Sequence, residues 1–121
     1  MTNSDPNPNG GGTGPTQCVA VTPGALANIS ARIRVPSGQS GAGMASAALY
    51  FYAGSNCSGT YYNYLWLEYP STLDTWTLQT TTGAVPPNAH SGSLVLWTGK
   101  TAPAGTFTAY FDDVSVVTSA R

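Results

Sequence analysis

The chain has 121 residues, of which 41% are hydrophobic and only 7% are charged. This suits one domain with one buried core and a surface made polar by uncharged side chains. The net charge of −1 excludes the basic surface of a nucleic-acid-binding protein and the polybasic patch of a membrane-surface protein. No apolar run is long enough to span a bilayer. This composition is typical of a secreted or cell-surface domain. The opening residues do not form a signal peptide, so we expect a piece of a longer exported chain.

Residues 1–16 are rich in Pro, Gly and Asn and have no apolar periodicity. This predicts a flexible tail or loop rather than part of the core. We expect residues 17–118 to form a single β-sandwich domain and residues 119–121 a C-terminal tail.

From Gln17 onwards, apolar stretches alternate with turn-forming residues at the spacing of a β-sandwich, and no window has helical periodicity. The predicted strands are Gln17–Thr22, Ala25–Val35, Met44–Ala53, Thr60–Tyr69, Thr75–Thr81, Ser91–Trp97 and Thr106–Val117. We therefore predict an all-β fold, a two-sheet antiparallel β-sandwich.

Alternation within each strand separates core side chains from outward ones. In the second and third predicted strands, apolar residues occupy every second position. In the fourth, the same rule turns Asn63, Leu65 and Leu67 inward. In the last, the alternation slips at Asp112–Asp113, which predicts a β-bulge.

The outward side chains of the third and fourth predicted strands are largely aromatic. They are Tyr50, Tyr52, Tyr62, Tyr64 and Trp66. If the two strands are neighbours, these rings form an aromatic ladder on which sugar rings stack through their apolar faces. The polar side chains expected near its edges, suited to binding sugar hydroxyls, are Arg32, Arg34, Glu68 and Gln79. The alternative is that the rings pack on one another, or under residues 1–16, and stabilise the sheet without a ligand.

Cys18 and Cys57 are the only cysteines. An isolated pair in an exported domain favours one disulfide. It would close a loop of about 40 residues and stabilise the fold by roughly 3–4 kcal/mol. Two buried free thiols are the alternative.

Few side chains suit metal binding or catalysis. Asp112 and Asp113 at the bulge are candidate ligands of a structural Ca²⁺, the alternative being a solvated turn, and no other cofactor is expected. Glu68 and Asp74 are the two carboxylates that could form a glycosidase pair. The chain has only five carboxylates and Glu68 belongs to a strand face, so we predict that the protein is not an enzyme.

Several short motifs together resemble the carbohydrate-binding modules that have a galactose-binding-like jelly-roll fold and are often attached to exported bacterial proteins. The motifs are Gln17–Val21, Pro23–Gly24, Ile29–Arg32, Phe51–Tyr52, Cys57–Gly59, Trp76, Pro86–Pro87 with Ala89, and Phe111–Val114. The resemblance covers about residues 17–117 and implies a jelly roll. It also implies a disulfide between the two cysteines, a calcium ligand at Asp112 or Asp113, and sugar platforms loosely matched by Tyr62, Tyr64 and Trp66.

One part of the family pattern is missing, the opening hairpin with its Asn-Gly-x-Phe-Glu-like start. A strand of that hairpin would pair near Thr106–Val117 and supply calcium ligands. Residues 1–16 are a poor substitute because their prolines donate no ladder hydrogen bonds. We therefore expect an open sheet edge at Thr106–Val117 and self-association of the chain through it.

These observations predict a non-catalytic carbohydrate-binding module that stacks sugar rings on an exposed aromatic strand face. Its expected partner is a polysaccharide or another glycan, with no nucleic-acid or membrane partner. The alternative is a structural or self-assembling extracellular β-sandwich subunit, a homo-oligomer completed by strand pairing between chains.

Overall fold

The computed structural model describes residues 1–6 and 12–120, and strands dominate them. The strands are β1 (Thr2–Asn3), β2 (Gly12–Ala20), β3 (Leu26–Arg34), β4 (Gly43–Tyr52), β5 (Tyr61–Trp66), β6 (Thr77–Ala84), β7 (Ser91–Lys100), β8 (Phe107–Thr108) and β9 (Tyr110–Ser119), with a short 3₁₀ turn at Ser55–Cys57. The predicted strands correspond to β2 to β7 and to β8 with β9, so the all-β prediction is confirmed. In the described ranges, no helix is long and apolar enough to cross a membrane.

Two antiparallel sheets face each other across one core. Their strand orders are β2-β7-β4-β5 and β6-β3-β9, while β1 pairs with β8. The inward positions predicted from alternation are buried: Ile29 and Ile33 of β3, and Leu49 and Phe51 of β4, are at most 1% exposed. The facing apolar sets close a two-sheet sandwich, as predicted.

The start of the chain belongs to the sandwich, although its sequence predicts a tail or loop. β1 pairs with β8, and β2 pairs along β7 with one register shift. Asn3 is only 5% exposed, and its Nδ2 donates to the carbonyl oxygen of Thr98 at 2.9 Å. Periodicity missed β1 because it has only two residues, and it missed the first half of β2 because that half lies among Gly and Pro. Residues 7–11 of the predicted tail lie outside the described residues.

The predicted open edge is divided between two strands. β8 pairs with β1, and β9 lies at the end of its sheet next to β3. The predicted bulge at Asp112–Asp113 is present as a register shift in β9, and Asp113 has a φ of 51°. A bulge with exposed carboxylates hinders pairing with another strand. Self-association through Thr106–Val117 stays a prediction.

A second bulge, in β5, changes which tyrosine joins the outward face. Tyr61, rather than Tyr62, lies opposite Tyr52. The register shift places Tyr62 and Asn63 together against the single residue Phe51. Tyr61 therefore takes the ladder position predicted for Tyr62, and Asn63 is exposed instead of facing the core. Strict alternation fails here because a bulge adds one residue to one strand.

The predicted disulfide between Cys18 and Cys57 is present, with Cα atoms 6.0 Å apart. It joins β2, at one end of its sheet, to the turn between β4 and β5. The backbone N–H of Cys57 also donates to Ser91 Oγ at 2.9 Å. Asn56 and Cys57 have φ values of 59° and 57°, in a backbone region that residues other than Gly rarely adopt. The disulfide and this hydrogen bond hold the turn in that conformation.

Candidate functional site

Four tyrosines form a continuous cluster on the outer face of the β2-β7-β4-β5 sheet. The ring centroids of Tyr50 and Tyr64 are 5.6 Å apart. Tyr61 lies 6.1 Å from Tyr50 and 5.9 Å from Tyr52. The ladder exists because β4 and β5 are paired neighbours, with Tyr50 directly opposite Tyr64. We call these four residues the tyrosine cluster.

A second aromatic group continues the same face. The Trp66 ring lies 5.1 Å from Tyr69, which stacks on Trp97 at 5.9 Å with an interplanar angle of 27°. Tyr69 and Trp97 were not among the predicted site residues. Trp97 lies opposite Ser46, on the outward side of β7. Alternation along β7 could have placed Trp97 on an outward face. It could not have placed Trp97 beside the aromatic rings, because that requires knowing that β4 and β7 pair.

Small side chains between the rings form the floor of a groove. Ser46 and Ala48 face outward, yet they are only 4% and 7% exposed, because the surrounding rings cover them. The Ser46 hydroxyl donates to the carbonyl oxygen of Leu67 at 2.7 Å. The groove has a volume of about 400 Å³ and is lined by Ser46, Ala48, Tyr50, Tyr64, Trp66, Tyr69 and Trp97.

The groove is apolar, with hydroxyl and indole groups as its polar contacts. Among the residues that the structure describes, no charged side chain lines it. Trp66 is 41% exposed and Tyr64 is 46% exposed, so a ligand can reach both. Burial raises the pKa of Tyr69, and the nearby Tyr64 and Tyr50 phenols raise it further. The phenol of Tyr69 therefore remains a neutral donor and acceptor at physiological pH.

The predicted arginines do not border the ladder. Arg32 and Arg34 lie on β3, in the other sheet of the sandwich. Arg32 Nε contacts Asp113 Oδ2 at 3.2 Å, and Arg34 Nη2 contacts Asp74 Oδ1 at 3.8 Å. Their predicted position beside the aromatic rings is wrong, because alternation within a strand does not show which sheet the strand joins.

Gln79 and Glu68 are also outside the groove. Gln79 lies opposite the buried Ala31, so it is on the inner face of the second sheet and cannot border the ladder. Glu68 is exposed just beyond the end of β5 and does not line the groove. Of the predicted ligand residues, the groove thus brings together Tyr50, Tyr64 and Trp66, with Tyr52 in the adjoining cluster.

Asp112 and Asp113, the candidate calcium ligands, are engaged with neighbouring groups of the chain. Asp112 Oδ1 accepts the backbone N–H of Asp113 at 2.8 Å, and the Asp113 carboxylate is paired with Arg32. Within residues 1–6 and 12–120, no group of three or more His, Cys, Asp or Glu side chains is placed to hold a metal. Ca²⁺ takes roughly six to eight oxygen ligands, so these two carboxylates would supply only part of such a set, and calcium binding here stays a prediction.

Asp74 is engaged in the loop before β6. Side-chain and backbone hydrogen bonds from Ser37 hold the pKa of Asp74 below its ordinary value, and Arg34 lowers it further. The general acid of a glycosidase requires a raised pKa. The surroundings of Asp74 therefore favour an ion pair over proton donation.

The fold and the groove define a two-sheet antiparallel β-sandwich with an aromatic outer face. A solved structure described as "Family 16 Carbohydrate Binding Module-2" is similar over 96% of this chain and 74% of its own, with a TM-score of 0.58 and 20% sequence identity. No protein-family model and no curated protein matches the sequence. At this identity the similarity shows the fold. It confirms the predicted β-sandwich, a fold that this chain shares with that solved structure.

Proposed function

We propose that the protein is a non-catalytic carbohydrate-binding module and that its groove binds an uncharged glycan. The observation that carries this proposal is the groove itself, which is open to solvent and lined by aromatic rings over a floor of small side chains. Exposed apolar surface of this kind usually serves a contact. The similar solved structure, itself described as a carbohydrate-binding module, supports the proposal.

Stacking explains how such a groove would bind a sugar chain. Tyr64 and Trp66 are two residues apart on β5, so their Cα atoms lie about 7 Å apart along the strand. Each ring offers an apolar face to the C–H face of a sugar. The phenol hydroxyls and the indole N–H groups supply hydrogen bonds to sugar hydroxyls. Without a fixed charge in the lining, acidic sugars gain no ion pair there.

Affinity electrophoresis tests this function. The gels contain a soluble β-glucan, a mannan, a xylan or a galactan, with pectate as the acidic comparison. We expect at least one neutral polysaccharide to retard the wild-type protein. We expect Trp66→Ala and Tyr64→Ala to weaken binding about tenfold or more, a loss of at least about 1.4 kcal/mol.

Tyr62→Ala is the matched control. Tyr62 is on the same strand and is 39% exposed against 46% for Tyr64, but the bulge leaves it outside the ring contacts. It should bind like the wild type. Equal losses from Tyr62→Ala and Tyr64→Ala would show that the groove is not the binding site. A large fall in melting temperature for Trp66→Ala would show that this side chain belongs to the core instead.

The disulfide supports an extracellular location for this function, since disulfides persist in oxidising compartments. Secretion or display on a cell surface is part of the proposal. Mass measurement of the protein isolated from its native source under non-reducing conditions tests it. Free thiols at Cys18 and Cys57 in that material would argue against an oxidising compartment.

The position of β9 at the end of its sheet favours a second candidate function, self-assembly by strand pairing. An exposed edge is a template for another chain, and β9 is ten residues long. Light scattering at high protein concentration tests it. A concentration-independent monomer would exclude self-assembly and leave glycan binding as the function.

A further inference from the structure

The outer face of the β6-β3-β9 sheet brings two exposed aromatic side chains to either side of an arginine. Arg34 lies opposite Tyr110. On its other side, Trp76 directly precedes Thr77, which pairs with Ile33, the neighbour of Arg34. Tyr110 is 46% exposed and Trp76 is 45% exposed. Because adjacent strands lie about 5 Å apart, the backbones of Trp76 and Tyr110 flank Arg34 about 10 Å from each other.

Two accessible ion pairs lie between and beside these rings. The Arg34 and Asp74 side chains are 33% and 49% exposed, and those of Arg32 and Asp113 are 47% and 66% exposed. Arg32 contacts Asp113 through Nε, at 3.2 Å from Oδ2. Each pair thus presents N–H donors next to carboxylate acceptors at the surface.

This combination matches the chemistry of a saccharide. Of two neighbouring sugar hydroxyls, one can accept from a guanidinium while the other donates to the carboxylate beside it. The flanking rings provide faces for stacking. The core of a protein interface is a contiguous apolar patch, whereas here ion pairs separate the rings. The charges compensate each other in pairs, so the face does not favour a strongly acidic or basic partner.

We propose that this face is a second saccharide-binding site, formed by Trp76, Tyr110, Arg34, Arg32 and Asp113. It lies on the opposite side of the sandwich from the groove, so both faces are accessible at once. The protein is then bivalent and cross-links polysaccharide chains. The proposal rests on the proposed function only for the choice of polysaccharide in the test.

Tryptophan fluorescence separates the two faces, because the chain has three tryptophans and two of them belong to the groove. The double variant Trp66→Phe/Trp97→Phe leaves Trp76 as the only indole, while Trp76→Phe leaves only the groove indoles. Both are titrated with oligosaccharides from the neutral polysaccharide that retards the wild type most strongly. We expect the emission of Trp76 to shift on titration. Adding Arg34→Met should abolish that shift, and adding Val117→Ala should not, since Val117 is exposed at the other end of the same sheet.

Cross-linking provides a second measurement that leaves the groove intact. We expect the wild type to raise the turbidity of a dilute polysaccharide solution. Trp76→Phe and Arg34→Met should still be retarded in affinity gels but should lose most of the turbidity. Folding of each variant is checked by its melting curve.

The outcomes distinguish the two proposals. Retardation of the wild type by none of the polysaccharides would overturn both. Three results together would overturn the second site alone. The groove indoles of Trp76→Phe would respond to the oligosaccharide, the Trp76 emission of the double variant would not change, and Arg34→Met would leave the turbidity unaffected. A dimer of the wild type that Trp76→Ala converts to a monomer would assign the face to protein contact, and the proposal would be wrong.

Discussion

Removing the disulfide should cost more stability than any change on the exposed faces. Cys18 is exposed at the surface of β2, and Cys57 lies in the turn that follows β4. Replacing both by alanine leaves the sheet hydrogen bonds unchanged, so the effect is mainly on the unfolded chain. Without the cross-link, the unfolded state regains the freedom of the loop between the two cysteines.

The separation of 39 residues sets the expected magnitude. The chain-entropy relation gives a loss of about 4 kcal/mol in the free energy of unfolding for a loop of this length. The total free energy of unfolding of a domain of this size is roughly 5–15 kcal/mol. The melting temperature should fall by roughly 15 °C, given the usual unfolding entropy per residue.

Urea unfolding of the wild type and of Cys18→Ala/Cys57→Ala measures the loss. Reduced wild-type protein should match the double variant, and reductant should not affect the variant. Titration of the denatured, unreduced wild type should find no free thiol. A loss below about 1 kcal/mol with an unchanged m-value would refute the reasoning. It would mean that the cross-link restricts the unfolded chain much less than the chain-entropy relation assumes.

Three further predictions test other parts of the structure. Burial first, and then the neighbouring phenols with Tyr64 foremost, raise the pKa of Tyr61. The contribution of the Tyr61 phenol to stability is therefore complete below the ordinary tyrosine pKa and is lost as the pH rises through the raised pKa of Tyr61. Tyr64→Phe should lower the pKa of Tyr61 in an alkaline absorbance titration. An unchanged pKa of Tyr61 would contradict this. Asn3→Ala removes the hydrogen bond to Thr98 and should cost about 1–2 kcal/mol in urea unfolding, whereas no change would mean that β1 does not contribute to the fold. The residue Lys100 is 2% exposed, and its ammonium donates to two carbonyl oxygens of the following loop. Lys100→Met should therefore cost about 1–3 kcal/mol and increase amide exchange in that loop, and an equally stable variant would show that the carbonyls find other donors.

Local patterns in the sequence were sufficient for the core of the sandwich. The inward residues of β3 and β4 follow strict alternation. The structure buries them because successive side chains of a strand point to opposite faces of the sheet. The bulge at Asp112–Asp113 was visible as a break in that alternation. The bulge in β5 was not, because Tyr61, Tyr62 and Tyr64 are chemically alike and the slip leaves no trace in the pattern.

The binding face required the tertiary structure. The sequence by itself determined most of the strands, the inward sides of β3 and β4, the cysteine pair and the aromatic character of β4 and β5, since each of these depends on neighbouring residues or on composition. Only the fold decided that Trp97 and Tyr69 complete the groove and that Arg34 lies with Trp76 and Tyr110 on the opposite sheet. Strand order depends on contacts between residues far apart in the chain, and alternation within a strand carries no information about which strand lies beside it.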